Sequence, residues 1–290
     1  METAPATLVR SSGGVQVAVH DLGGPPDPGA PVLLFSHATG LHGRVWEPMA
    51  SHLTTRFRCL AVDYRGHGVT ETPEGTGFAW AGMGDDAVAV LDGGLIGPGR
   101  TVHGVGHSMG GAALVLAAGR RPRAFSSLWL YEPVIVPSGS APPAGASNPM
   151  AEAAARRRAS FPSLASAYDN FGSKPPLNEL HHGALRAYVD GGFAPQADGT
   201  VSLRCRPRVE AAVFAEAADA GAWEVWTTLE VPVAVVAGRP DGFGPVMFVE
   251  ALVGGLNRAS LVERPDLGHF GPLQDPQGVA GDVEAWVDRH

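Results

Sequence analysis

Ser108 lies in the run Gly106-His107-Ser108-Met109-Gly110-Gly111, between an apolar stretch ending at Val105 and a helix-like stretch from Ala112 to Ala118. A serine on a tight strand-to-helix turn, with glycine two residues to either side, is the G-x-S-x-G pattern of an exposed nucleophile. The glycines have a steric reason. The serine backbone is strained at such a turn, and a Cβ at either flank would collide with the adjoining strand or helix. A serine hydroxyl is a poor nucleophile near neutral pH, so it needs a histidine base and a carboxylate that orients the base.

His269, in Gly268-His269-Phe270, and Asp241, in Gly238-Arg239-Pro240-Asp241-Gly242, each follow a strand-like run and come after the serine in the chain. Asp241 is the expected acid. Glu132 is the alternative, because it also ends a strand-like run and would face the same side of a parallel sheet. Asp266 is so near His269 that it would have to fold back on its neighbour. Attack on a carbonyl also needs backbone donors for the oxyanion. Met109 N–H, directly after the nucleophile, supplies one, and Thr39 N–H in His37-Ala38-Thr39-Gly40 is expected to supply the second. His37 is read as structural, and His103 and His107 as too close to the elbow backbone to act as its base. Trp46, Phe243 and Phe270 are the candidates for an apolar substrate pocket.

Seven runs read as strands: 15–20, 31–36, 59–62, 101–105, 127–131, 231–237 and 260–263. Most are continuously apolar, as strands buried on both faces of a parallel sheet are, and helix-like segments alternate with them. The alternation breaks at 137–149, a stretch rich in Pro, Ser, Gly and Ala, and 150–218 reads as short helices without buried strands. The expected organisation is a core from 1–134 and 222–290, with 135–221 inserted as a helical cap. Arg156-Arg157-Arg158 reads as a solvated helix face, and Asp63 with Arg65 as an ion pair bracing a turn.

Composition narrows the function classes. The 290 residues are 44% hydrophobic and 17% charged, with a net charge of −8. That charge argues against a nucleic-acid partner. No run approaches the roughly 18 apolar residues of a membrane span, and no basic start precedes an apolar stretch as in a secretory signal. A cytoplasmic protein without membrane partner is the expectation. Cys59 and Cys205 are too few for a disulfide scaffold. His181-His182 lacks further ligands at metal spacing, so no metal is expected.

Taken together and in order, these motifs resemble the α/β-hydrolase superfamily. Ser36-His37-Ala38-Thr39-Gly40, Asp63-Tyr64-Arg65-Gly66-His67-Gly68, Gly106 to Gly111, the Gly238 to Asp241 turn and Gly268-His269-Phe270 carry the resemblance, which covers the chain outside the middle insertion. It implies an α/β fold with a mostly parallel eight-stranded sheet flanked by helices, a Ser108–His269–Asp241 triad, and a helical cap inserted after the strand ending near Glu132. Ala38 stands where the family's histidine–glycine pair usually has glycine. Ser108 replaces the aspartate of members that open epoxides or displace halide, which disfavours those reactions. The expected function is that of a cofactor-independent serine hydrolase, cleaving a carboxylic ester, thioester or lactone of a small molecule through an acyl-enzyme. Carbon–carbon bond hydrolysis by the same triad, and a ligand-binding module with weak turnover, are the alternatives.

Overall fold

The computed structural model describes residues 5–140, 146–217, 221–240 and 245–290. Its strands in chain order are β1 (Thr7–Arg10), β2 (Gln16–Asp21), β3 (Val32–Ser36), β4 (Arg58–Asp63), β5 (Val102–His107), β6 (Ser127–Tyr131), β7 (Ser160–Phe161), β8 (Phe193–Pro195), β9 (Val201–Leu203), β10 (Val233–Ala237) and β11 (Ala259–Glu263). Eight of these form one sheet in the order β1-β2-β4-β3-β5-β6-β10-β11. The β1–β2 and β2–β4 pairs are antiparallel and the others parallel. This is the α/β-hydrolase fold expected from the motifs.

The helices are α1 (Glu47–Ala50), α2 (Trp80–Asp92), α3 (Met109–Arg120), α4 (Pro149–Ala155), α5 (Leu164–Gly172), α6 (His182–Gly192), α7 (Pro207–Ala215), α8 (Ala222–Trp226), α9 (Val249–Gly255), α10 (Gly271–Gln274) and α11 (Pro276–Val287). Alternate residues of the central strands face opposite cores, which is why those strands read as unbroken apolar runs. Val32, Leu34, Leu128, Leu130, Val233 and Val235 pack with α2, α3, α8 and α9. Leu33, Phe35, Trp129, Tyr131, Ala234 and Val236 pack on the other face with α1, α11 and residues of the inserted segment.

Between β6 and α8 lie α4 to α7, in the segment expected to form a cap. Side chains set its helix starts: Asn148 accepts from Ala151 N–H ahead of Pro149, and Ser163 accepts from Ser166 N–H. The cap is not purely helical. β7, β9 and β8 make a small antiparallel sheet in that order. Runs of two or three residues carry too little period to be read from sequence. β1, with four residues, is also too short to show a period.

Two expectations about charge are corrected. Asp63 and Arg65 do not pair. Asp63 accepts from Gly43 N–H at 2.6 Å, Val69 N–H at 2.8 Å and His20 at 2.9 Å, while Arg65 makes a two-pronged bond to Asp86, at 2.9 and 2.7 Å. Nor do the three arginines 156–158 share a solvated helix face. α4 ends at Ala155, and Arg157 turns inward to the Glu210 carboxylate and to Tyr188 Oη at 2.6 Å.

Candidate active site

Ser108 stands on a tight strand-to-helix turn. Ser108 joins β5 to α3 with φ 55° and ψ −120°, a conformation costing of order 1–3 kcal/mol that persists only where neighbours over-determine it. Here Ser108 N–H donates to Tyr131 O at 3.0 Å, and Ser108 O accepts from Gly111 N–H at 3.0 Å and Val134 N–H at 3.2 Å. The glycines are needed for close approach. A Cβ on Gly106 would lie 2.8 Å from Gly111 Cα, and one on Gly110 would lie 2.3 Å from Ser36 O. Ser36 ties the two ends together, since its hydroxyl donates to Gly110 O at 2.8 Å and accepts from Tyr64 Oη at 2.5 Å.

His269 sits in the loop between β11 and α10, and its Nδ1–H donates to Glu132 Oε2 at 2.6 Å. A carboxylate on Nδ1 fixes the tautomer and leaves Nε2 as the basic nitrogen. Glu132 is 2% exposed and takes a second hydrogen bond on Oε1 from Gly238 N–H at 3.0 Å. Its backbone is also unusual, with φ 40°, and its N–H donates to Val236 O at 2.9 Å. Asp241, the acid expected from sequence, lies outside the described residues, as does Phe243. Among the described residues the carboxylate that meets the His269 ring is Glu132.

His107 joins the His269 loop to β5. Its Nε2–H donates to His269 O at 2.7 Å, and the two rings lie 4.9 Å apart. Burial, and the neighbouring His269, hold the His107 pKa well below its usual value, so the ring is a neutral donor. The structure thus brings His269, Glu132 and the residue preceding Ser108 together. It records no hydrogen bond from Ser108 Oγ to a described residue. Such contacts commonly tighten only when substrate is bound.

Of the two expected oxyanion donors, Met109 N–H begins α3, and among the described residues neither it nor Thr39 N–H has a backbone acceptor. Two buried histidines shape the Thr39 loop. His37 accepts from Tyr64 N–H at 3.2 Å and donates to Ala38 O at 2.8 Å. His67 accepts from Gly40 N–H at 3.1 Å and donates to Arg65 O at 3.0 Å. Burial lowers their pKa values to about 3 and about 4, respectively, which keeps both neutral for these roles. Ala38 fits in the glycine position because the left-handed residue of this loop is Gly40, at φ 78°.

A cavity of about 310 Å³ opens between this loop and the cap. Thr39, Leu41, Phe171, Leu177, Phe214 and Phe270 give it an apolar wall. Phe270 lines this cavity and Trp46 does not. Trp46 is fully buried in the core, 5.2 Å from the Phe35 ring, because 3₁₀ residues 43–46 turn it onto the sheet at β3. Sequence reasoning missed how Arg157, Glu210, Tyr188 and Gly238 pack. The first three come from three different cap elements, and no local pattern announces their meeting. A Cβ on Gly238 would lie 2.7 Å from Glu132 Oε1, a requirement invisible without the fold.

Among the described residues no cluster of three or more His, Cys, Asp or Glu side chains could hold a metal ion, and no helix is long and apolar enough to cross a membrane.

The alpha/beta hydrolase family model matches residues 33–283. Curated relatives include 2-(acetamidomethylene)succinate hydrolase of Mesorhizobium japonicum, 36% identical over 92 residues, which are 32% of each chain. A putative carbamate hydrolase of a Caulobacter species is 36% identical over 107 residues, 37% of this chain and 39% of that one. The 3-oxoadipate enol-lactonase 1 of Acinetobacter baylyi is 33% identical over 82 residues, 28% of this chain and 29% of the relative. The matches thus span between about three-tenths and two-fifths of those relatives' own length. Solved structures share the fold over far more of the chain. An E-2-(acetamidomethylene)succinate hydrolase superposes with a TM-score of 0.75 at 20% identity, covering 97% of this chain and 98% of the other. A thioesterase domain from the curacin biosynthetic pathway gives 0.74 at 19% identity, covering 99% and 100%.

Proposed function

The chain belongs to the alpha/beta hydrolase family, and from that premise we propose that it is a cofactor-independent serine hydrolase whose triad is Ser108, His269 and Glu132. The observation that carries this reading is the His269–Glu132 bond at 2.6 Å, in a loop held to the residue before a strained serine. Substrates are esters, thioesters or lactones of small molecules that fit the cavity of about 310 Å³ under the cap. The enol-lactonase among the relatives supports the lactone within that range.

Each step follows from a named group. Ser108 Oγ attacks the carbonyl carbon as His269 Nε2 takes its proton. Glu132 holds the ring through Nδ1 and stabilises the imidazolium. Met109 N–H and Thr39 N–H receive the oxyanion, each donor being worth about 10²–10³ in rate. The imidazolium then protonates the leaving group, and water, activated by the same histidine, releases the acid from Ser108.

A fluorophosphonate probe tests the reading. It labels the wild-type chain, and both labelling and ester turnover vanish in Ser108→Ala. Absence of labelling in folded wild-type protein overturns it. The readings as a carbon–carbon hydrolase or as a binding module share the site. Turnover of simple aryl esters faster than of vinylogous diketones, abolished by His269→Ala, separates the ester hydrolase from both.

A further inference from the structure

A second, larger concavity of about 700 Å³ lies beside α7. Val209 lines this groove, while Glu210 and Phe214 of the same helix line the cavity beside Thr39 and Phe270. One wall is the core loop from Gly66 to Phe78, and the other is the cap segment bearing Arg204, Arg206 and Arg208. We propose that this groove is a binding site for a small phosphate-bearing anion, bridging core and cap.

The charge pattern carries the proposal. Arg204, Arg206 and Arg208 have no carboxylate partner within 4.0 Å among the described residues. Glu74 is the one acidic side chain among the lining residues. Three unneutralised guanidinium groups thus converge on one concavity in a chain whose net charge is −8.

The start of α7 contributes in the same sense. Arg206 is its N-cap and Pro207 its first residue, so the positive end of the helix dipole adds to the arginine charge. The acid of that first turn, Glu210, is committed to Arg157 and does not neutralise it.

Guanidinium forks match phosphate oxygens in geometry and charge, and the groove is within the size range of sites that take an organic molecule as well as its phosphate. A ligand there touches the core loop and the cap together and so favours the seated cap. His67, which holds Gly40 N–H, lines the same groove, which couples the site to the oxyanion loop.

Calorimetric titration of the full chain with inorganic phosphate, pyrophosphate and adenosine 5′-monophosphate, at constant ionic strength set with sodium chloride, tests the proposal. Saturable binding at one site per chain is expected, weakened at least tenfold in Arg206→Ala/Arg208→Ala. Both substitutions are at exposed positions, so the variant keeps wild-type turnover of a neutral aryl ester and thereby reports its own folding. Tighter binding of the nucleotide assigns the groove to an organic phosphate, and equal binding assigns it to a simple oxyanion. Lack of saturable binding to the wild type, or equal affinity in the double variant, overturns the proposal. Because binding is read directly, its failure leaves the catalytic reading intact, and loss of labelling at Ser108 leaves the anion site intact.

Discussion

The Glu132 carboxylate accepts from His269 Nδ1 at 2.6 Å and from Gly238 N–H at 3.0 Å, so the group that orients the proposed base comes from the end of β6. Both accepting oxygens are thereby committed, and the ring can neither flip nor take the other tautomer without unpairing a buried carboxylate. Replacing Glu132 by glutamine keeps the shape and removes the charge that stabilises the imidazolium. The expected loss in kcat on an aryl ester is about 10³–10⁴-fold, with KM little changed. Asp241→Asn stays within a few-fold of wild type. Steady-state kinetics on the two variants checks this, and the opposite ranking would transfer the orienting role to Asp241.

Gly238 is the second half of that seat. A Cβ there would lie 2.7 Å from both Glu132 Oε1 and Tyr131 Oη, and neither can retreat freely, since Tyr131 Oη donates to Gly268 O at 2.7 Å. Gly238→Ala is expected to destabilise the fold by about 1–3 kcal/mol and to lower kcat more than tenfold by displacing the acid from its histidine. Urea denaturation paired with kinetics reads the two effects separately. Full activity at reduced stability would show that Glu132 is not placed by this contact.

The sequence made the strand–helix alternation legible because fully buried parallel strands leave unbroken apolar runs, as at Val233 to Ala237. The elbow was legible because close approach at Gly106 and Gly110 admits only glycine. The acid was harder to read. Asp241 and Glu132 both follow strand-like runs, and only tertiary packing brings Gly238 N–H and His269 onto one carboxylate. Trp46 failed as a pocket residue because an aromatic near a loop looks the same whether it lines a cavity or fills the core. Arg157 failed as a surface cation because its partners, Glu210 and Tyr188, lie 53 and 31 residues away in the chain.

Beneath the site, Asp86 is wholly buried and accepts from Arg65 N–H at 3.0 Å, Arg65 Nε at 2.9 Å and Nη2 at 2.7 Å, and from Ser11 Oγ at 2.6 Å. Removing one partner of such a pair strands the other charge in the interior. Asp86→Ala should therefore cost about 3–5 kcal/mol, read as a shift in the urea midpoint with unchanged slope. A cost below about 1 kcal/mol, the range of exposed ion pairs, would mean that water replaces the carboxylate on Arg65.

The buried histidines make stability fall in mild acid. Burial lowers the pKa of His37 to about 3 and those of His67 and His103 to about 4, from 6.5. Above pH 6.5 these rings are neutral in both folded and unfolded chains and contribute no pH dependence. Below it the unfolded chain takes up protons that the folded chain refuses, so stability decreases as pH falls, until the folded rings themselves titrate near pH 4 and 3. Each ring contributes a slope of up to about 1.4 kcal/mol per pH unit. Asp63, held below the usual carboxylate range by His20 against the upward push of burial, adds its own loss only below about pH 4. Unfolding free energies measured between pH 7 and pH 5 should decline progressively. His103 lies away from the site and bonds Ser127 Oγ at 2.8 Å, so His103→Gln should remove one ring's share of the slope while leaving turnover at pH 7 intact. An unchanged slope in that variant would show that His103 takes up its proton in the folded chain as readily as in the unfolded one.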